Sequence, residues 1–182
     1  MGFFTIVMFI GVLDTETNTR KLLAPIRAEL SILASILSIG HVINYGEAYL
    51  GQLFYNTQNM PALRISTTII AIILVVLLIP LAITSLKIIR KKMNQQKWRG
   101  LQRLSYLFYG LIFVHVVLAL LPAAIAGSAT ALISMYLYSG LGGLYATLRI
   151  QESVGSPKSF RMIAVCCVCG IVLILSLLFA FG

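Results

Sequence analysis

The stretch KWRGLQRLSYLFYGLIFVHVVLALL, residues 97–121, decides the fold. It opens on Lys97, Trp98, Arg99 and Arg103, and then runs eighteen residues, 104–121, without an Asp, Glu, Lys or Arg. At a rise of ~1.5 Å per residue such a run covers most of a ~30 Å hydrocarbon layer. Basic residues and a tryptophan at one end are what a helix carries where it leaves the lipid on the cytoplasmic side. The stretch therefore predicts a membrane helix over 101–121, with one histidine, His115, inside its apolar length.

The same pattern repeats in both directions. Residues 28–50 form a second apolar segment, holding His41. Residues 65–89 are almost wholly Ile, Leu, Val and Ala, with Pro80 placed to kink the helix near its end. A short Ala-Gly-Ser connection at 126–129 predicts a tight hairpin into 130–148, and 162–181 makes a last span. Residues 2–13 are also apolar, but reach less than ~20 Å as a helix, which is short for a crossing. They lack the basic start and small-residue cleavage site of a removable signal. Of the 182 residues, 59% are hydrophobic and only 10% charged. A soluble domain carries roughly 25% charged residues, so this chain cannot cover a core with polar surface. The expected fold is an all-α membrane protein, a single domain over 1–182 with about six transmembrane helices, the first one short.

The charges fix an orientation. Arg20, Lys21 and Arg27 precede the second segment. Lys87, Arg90, Lys91, Lys92, Lys97, Arg99 and Arg103 lie between the third and fourth. Arg149, Lys158 and Arg161 lie between the fifth and sixth. Thirteen of the fourteen Lys and Arg thus fall on one side, and Arg64 alone on the other. The positive-inside rule makes the basic side cytoplasmic in a multi-pass protein of the plasma or inner membrane. The net charge of +9 is then a topology signal, and nucleic acid is rejected as a partner. Cys166, Cys167 and Cys169 share one apolar segment and form no disulfide framework. Cys166 and Cys169 have no spare Cys or His to complete a metal site and read as small packing residues. Ser139, Gly140, Gly142 and Gly143 have the spacing that lets helices approach closely, here for packing within the bundle.

His41 comes 14 residues after Arg27, and His115 comes 12 after Arg103. Both helices start on the basic side, so both imidazoles sit ~18–20 Å into the membrane. Matched depth is what two axial ligands of one heme iron require, and neutral imidazole suits that role. A pair of buried histidines hydrogen-bonded to neighbouring helices has the same spacing, and spacing alone leaves both readings open.

A resemblance adds to this. Residues 79–86 read IPLAITSL, a basic stretch follows, and then Trp98, Leu101, Arg103, Leu104, Tyr106 and His115 appear in register. This resembles the ferric-reductase-like transmembrane family, most nearly the heme-binding membrane subunit of periplasmic methionine sulfoxide reductase systems (the MsrQ type). Residues 27–45 resemble the other heme helix of that family, and the resemblance extends over about 27–150. It implies b-type heme bound by His41 and His115. In the wider family two hemes stack across the membrane, each helix offering two ligands 13 or 14 residues apart. The inner positions here are Arg27 and Gln102, neither a normal heme ligand. The resemblance therefore implies one heme, in the outer half of the bilayer, with the inner one lost.

Other residues carry two readings each. Arg64 is placed to pair with a heme propionate, or to be an ordinary snorkelling arginine. Glu47 is placed to accept a proton from quinol, or to be a solvated carboxylate. Asn44 and Tyr45 lie on the His41 face and line either a heme or quinone pocket, or simply pack. Trp98 and the basic cluster around it read as an interfacial anchor touching lipid headgroups, or as a docking surface for a cytosolic reductase. No G-x-G-x-x-G fingerprint for FAD or NAD is present. The expected function is electron transfer, from quinol or a flavin donor to an extracytoplasmic redox partner, with no catalytic residues in this chain. The rival is a heme-free anchor subunit of a redox complex. A small transporter is disfavoured, because the spans lack clustered charges and paired discontinuous helices.

Overall fold

A computed structural model describes residues 2–13 and 16–154 of the chain. The expected span 162–181, with its three cysteines, and Lys158 and Arg161 lie outside the described residues. Lipid offers the backbone no hydrogen-bond partners, so a chain crossing it bonds to itself as helix or closed barrel. The described residues take the first route and contain no strand. In order they form α1 (Gly2–Ile10), α2 (Asn18–Leu23), α3 (Arg27–Tyr55), α4 (Ala62–Ser85), α5 (Lys87–Lys92), α6 (Gln95–Gln102), α7 (Leu104–Ile125) and α8 (Ala129–Val154). A single 3₁₀ turn, Thr57–Asn59, links α3 to α4. Four stretches are long and apolar enough to cross a membrane: Arg27–Tyr55, Ala62–Ser85, Gln95–Ile125 and Ala129–Ile150. The chain runs up α3, down α4, up α7 and down α8. One end of the bundle carries α5 and α6 (the basic end), and the other carries the α3–α4 and α7–α8 turns (the far end).

One expected boundary moves. The segment expected over 65–89 ends as a helix at Ser85, because Leu86 is extended (φ −66°, ψ 127°). The released Thr84 carbonyl accepts a hydrogen bond from Trp98 Nε1 at 3.2 Å, and Gln102 Nε2 donates to Thr84 Oγ1 at 3.0 Å. These bonds supply partners that the last carbonyls of a helix lack. The basic residues beyond fold separately as α5 and α6, the latter capped where Asn94 Oδ1 accepts from Gln96 N–H at 2.8 Å. Pro80 sits inside α4 without ending it. At the far end the hairpin forms as expected. Ser128 N–H reaches back to Ala123 O at 3.0 Å, a Schellman-type cap whose left-handed position is Gly127 at φ 84°.

Between helices in lipid, association depends on close packing more than on escape from water. α7 packs against α4 and α8, while α4 also packs against α3. Small residues set the tightest approach: a Cβ added at Gly142 on α8 would lie 3.0 Å from the Phe113 ring of α7, whereas Gly140 faces open space. The short first segment is not a surface strap. α1 contributes Phe4, Val7 and Met8 to the core, beside Ala34 of α3, Leu78 and Leu81 of α4, and Phe108, Tyr109 and Ile112 of α7. Val7 is only 1% exposed. The Phe4 ring meets Phe108 edge-on at 5.2 Å. This nine-residue helix is too short to cross, and it is a packing element of the basic half of the bundle.

Candidate functional site

The far half of the bundle holds both histidines. His41 lies midway along α3 and His115 midway along α7. Each of these helices packs against α4, and they barely touch one another. Helices in direct ridge-and-groove contact lie roughly 8–10 Å apart, too close for a flat macrocycle between them. Flanking a shared third helix relieves that constraint for α3 and α7. The two imidazoles are nonetheless within electrostatic range of one another.

His115 Nδ1 lies 3.3 Å from the Thr67 carbonyl oxygen of α4. A carbonyl can only accept, so this bond requires the proton on Nδ1 and leaves the Nε2 lone pair available. Fixing one ring nitrogen through a backbone carbonyl while the other binds metal is the usual arrangement for a histidine ligand. The Thr67 hydroxyl turns back on its own helix, donating to Leu63 O at 2.8 Å. His41 is exposed and has the Tyr45 ring beside it, with centroids 4.8 Å apart and planes at 42°.

The other expected site residues divide. Arg64 stacks its guanidinium over the Tyr49 ring at 5.2 Å, joining the far ends of α3 and α4. It also lines a small polar cleft of about 140 Å³ with Gln52, Asn56, Asn59, Met60 and Pro61. Tyr45 belongs with His41, as described. Asn44 and Glu47 are exposed on the same helix, α3. Two participants escaped the sequence reading. Tyr49 stands at His41 + 8, on the face shared by His41 and Tyr45, and that spacing was a usable signal. Thr67 acts through its main chain, which no side-chain pattern reveals.

The inner positions are occupied differently. The Arg27 guanidinium lies against Gly11, 3.2 Å from where a Cβ would stand there, and reaches the Tyr109 hydroxyl. Gln102 is held by Thr84. Among the described residues no three His, Cys, Asp or Glu side chains converge on a common point. Two imidazoles are too few for a four-ligand protein site such as structural zinc. They are the complement an iron already held by four porphyrin nitrogens needs. The donor set therefore fits heme.

The family described as ferric reductase like transmembrane component matches residues 2–113. The chain belongs to that family. Its α1, α3, α4 and α6 and the first half of α7 are thus ferric-reductase-like, including His41 and both inner positions. An uncharacterized protein of Treponema pallidum (strain Nichols) is 37% identical over 155 residues, 85% of this chain and 43% of its own length. The ferric-reductase-like chain thus spans less than half of that relative. No solved structure matches it. Family membership and the four apolar helices make it a multi-pass membrane protein.

Proposed function

We propose that this ferric-reductase-like chain is a b-type cytochrome subunit. It would hold one heme between His41 and His115, in the outer half of the bilayer, and carry electrons from quinol (or a flavin) to an extracytoplasmic reductase. The Trp98-to-His115 motif favours a partner of the methionine sulfoxide reductase kind. The observation that carries the reading is the Nδ1 bond of His115 to Thr67 O, 3.3 Å long, which leaves the Nε2 lone pair available to an iron that His41 would also hold. Bound heme supplies a one-electron carrier. The chain's own residues do the rest. α4 spaces the two histidine helices, Thr67 O fixes the His115 tautomer, and Tyr45 flanks His41. Arg64, kept at the far end by Tyr49, offers a cation to a carboxylate.

The basic half speaks for one heme and against two. Arg27 and Gln102 are engaged with Tyr109 and Thr84, and the side chains of α1 fill the core between them. With no inner relay, a donor dissolved in the membrane reaches the remaining site more directly than a cytosolic flavoprotein. The test is a dithionite-reduced minus oxidised spectrum of the purified protein, with heme quantified per chain. One b heme, lost in His41→Ala and in His115→Ala, supports the reading. Two hemes overturn the single-site part. None, in protein made with ample heme, leaves a heme-free anchor subunit.

A further inference from the structure

Between α4 and α7 the chain lays down α5 and α6, and residues 87–103 contain seven Lys and Arg and no Asp or Glu. All seven are exposed, and none forms an ion pair among the described residues. In α5, Lys87, Arg90 and Lys91 share one helical face, being three and four residues apart. The surface is not purely cationic. Ile88 is 72% exposed and Leu86 42% exposed, and Leu107, one turn into α7, is 54% exposed. Cations interleaved with bare aliphatic side chains, at the level where two membrane helices end, match a lipid surface. A soluble acidic protein would answer the charges and leave the aliphatic groups in water.

The segment is also held rigidly. Trp98 Nε1 is bonded to Thr84 O at 3.2 Å and Gln102 to the Thr84 hydroxyl. The Arg90 guanidinium stacks on the Trp98 ring at 5.3 Å. α5 and α6 are thereby folded against the end of α4, with their basic side chains standing off a fixed base. Preorganised cations bind an anion with less ordering cost than mobile ones.

We propose that the surface formed by Lys87, Arg90 and Lys91 of α5 with Lys97 and Arg99 of α6 is a specific binding site for anionic phospholipid headgroups. The ligand class is a phosphodiester lipid of net negative charge, retained by the protein beyond the bulk bilayer.

The test is native mass spectrometry of the full chain in detergent, titrated with phosphatidylglycerol and, separately, with phosphatidylcholine. The wild type should retain phosphatidylglycerol and not phosphatidylcholine, with retention falling as salt rises. Lys87→Gln/Arg90→Gln/Lys91→Gln should weaken retention by about tenfold or more, given the strength of cation–surface attraction. Lys87→Arg/Lys91→Arg should preserve it, which separates lost charge from lost fold. Lys21→Gln, in the first basic loop where Lys21 pairs with Glu16 at 3.1 Å, should leave it unchanged. Equal retention of both lipids by the wild type would overturn the proposal. So would competition by free glycerol phosphate as strong as by the lipid, or preferential capture of polyglutamate over phosphatidylglycerol.

Discussion

His115 and Thr67 are joined by a ring nitrogen and a main-chain carbonyl, 3.3 Å apart, across the α7–α4 contact. The bond uses nothing of the threonine side chain. Thr67→Ala should therefore leave the heme content of purified protein unchanged. His115→Ala removes an interhelical bond worth roughly 0.6 kcal/mol in membrane proteins, so it should stay folded. It should lose the Soret and α-band absorbance all the same. Size-exclusion profile and absorbance together distinguish a lost ligand from a lost fold.

Arg27 and Tyr109 give a second test. Tyr109 is in the core with α1 packed on it, and its hydroxyl meets the Arg27 guanidinium. Tyr109→Phe removes that contact from an exposed guanidinium, which water can then solvate, and should cost no more than about 1 kcal/mol in detergent unfolding. Placing histidines at both inner positions, Arg27→His with Gln102→His, should not add a second heme, because Phe4, Val7 and Met8 fill that level of the bundle. A heme-to-protein ratio rising toward two would refute this account of α1.

Gly142 and Gly140 should respond with opposite signs. A methyl group at Gly142 enters the space of the Phe113 ring, 3.0 Å away, while one at Gly140 meets nothing within 4 Å. Gly142→Ala should lower stability by about 1–3 kcal/mol through overpacking, and Phe113→Leu should restore part of the loss. Gly140→Ala should be neutral or stabilising by up to about 1 kcal/mol, since alanine is the better helix former. Thermal unfolding of the purified protein measures both.

Trp98→Phe should separate two contributions at the basic end. The phenyl ring keeps a face for Arg90, now 5.3 Å from the indole, but has no N–H for Thr84 O. The expected loss is about 1 kcal/mol, the usual net contribution of one hydrogen bond. It should appear as faster hydrogen exchange over residues 95–102, without change at the histidines.

Much of this architecture is legible in the sequence because lipid imposes a simple rule. Segments such as 28–50 and 101–121 must be long, apolar and helical, and His41 and His115 stand out in them. The hairpin at Gly127 is local chemistry and equally visible. What escapes is what depends on packing. Residues 2–13 read as a truncated span; only the assembled bundle turns them into core. The end of α4 at Ser85 depends on Trp98 and Gln102 arriving from 14 and 18 residues downstream.

The burial of α1 carries a consequence for biogenesis. α1 is synthesised before every helix it packs against, and at nine residues it is too short to be released into the bilayer as a span of its own. Its partners include Phe108 and Tyr109, about a hundred residues later in the chain. α3 offers it a first partner, but these two aromatic neighbours arrive only when α7 has been made. The core around α1 would then close only late in synthesis, with one of the last helices completing a nucleus that the first ones began.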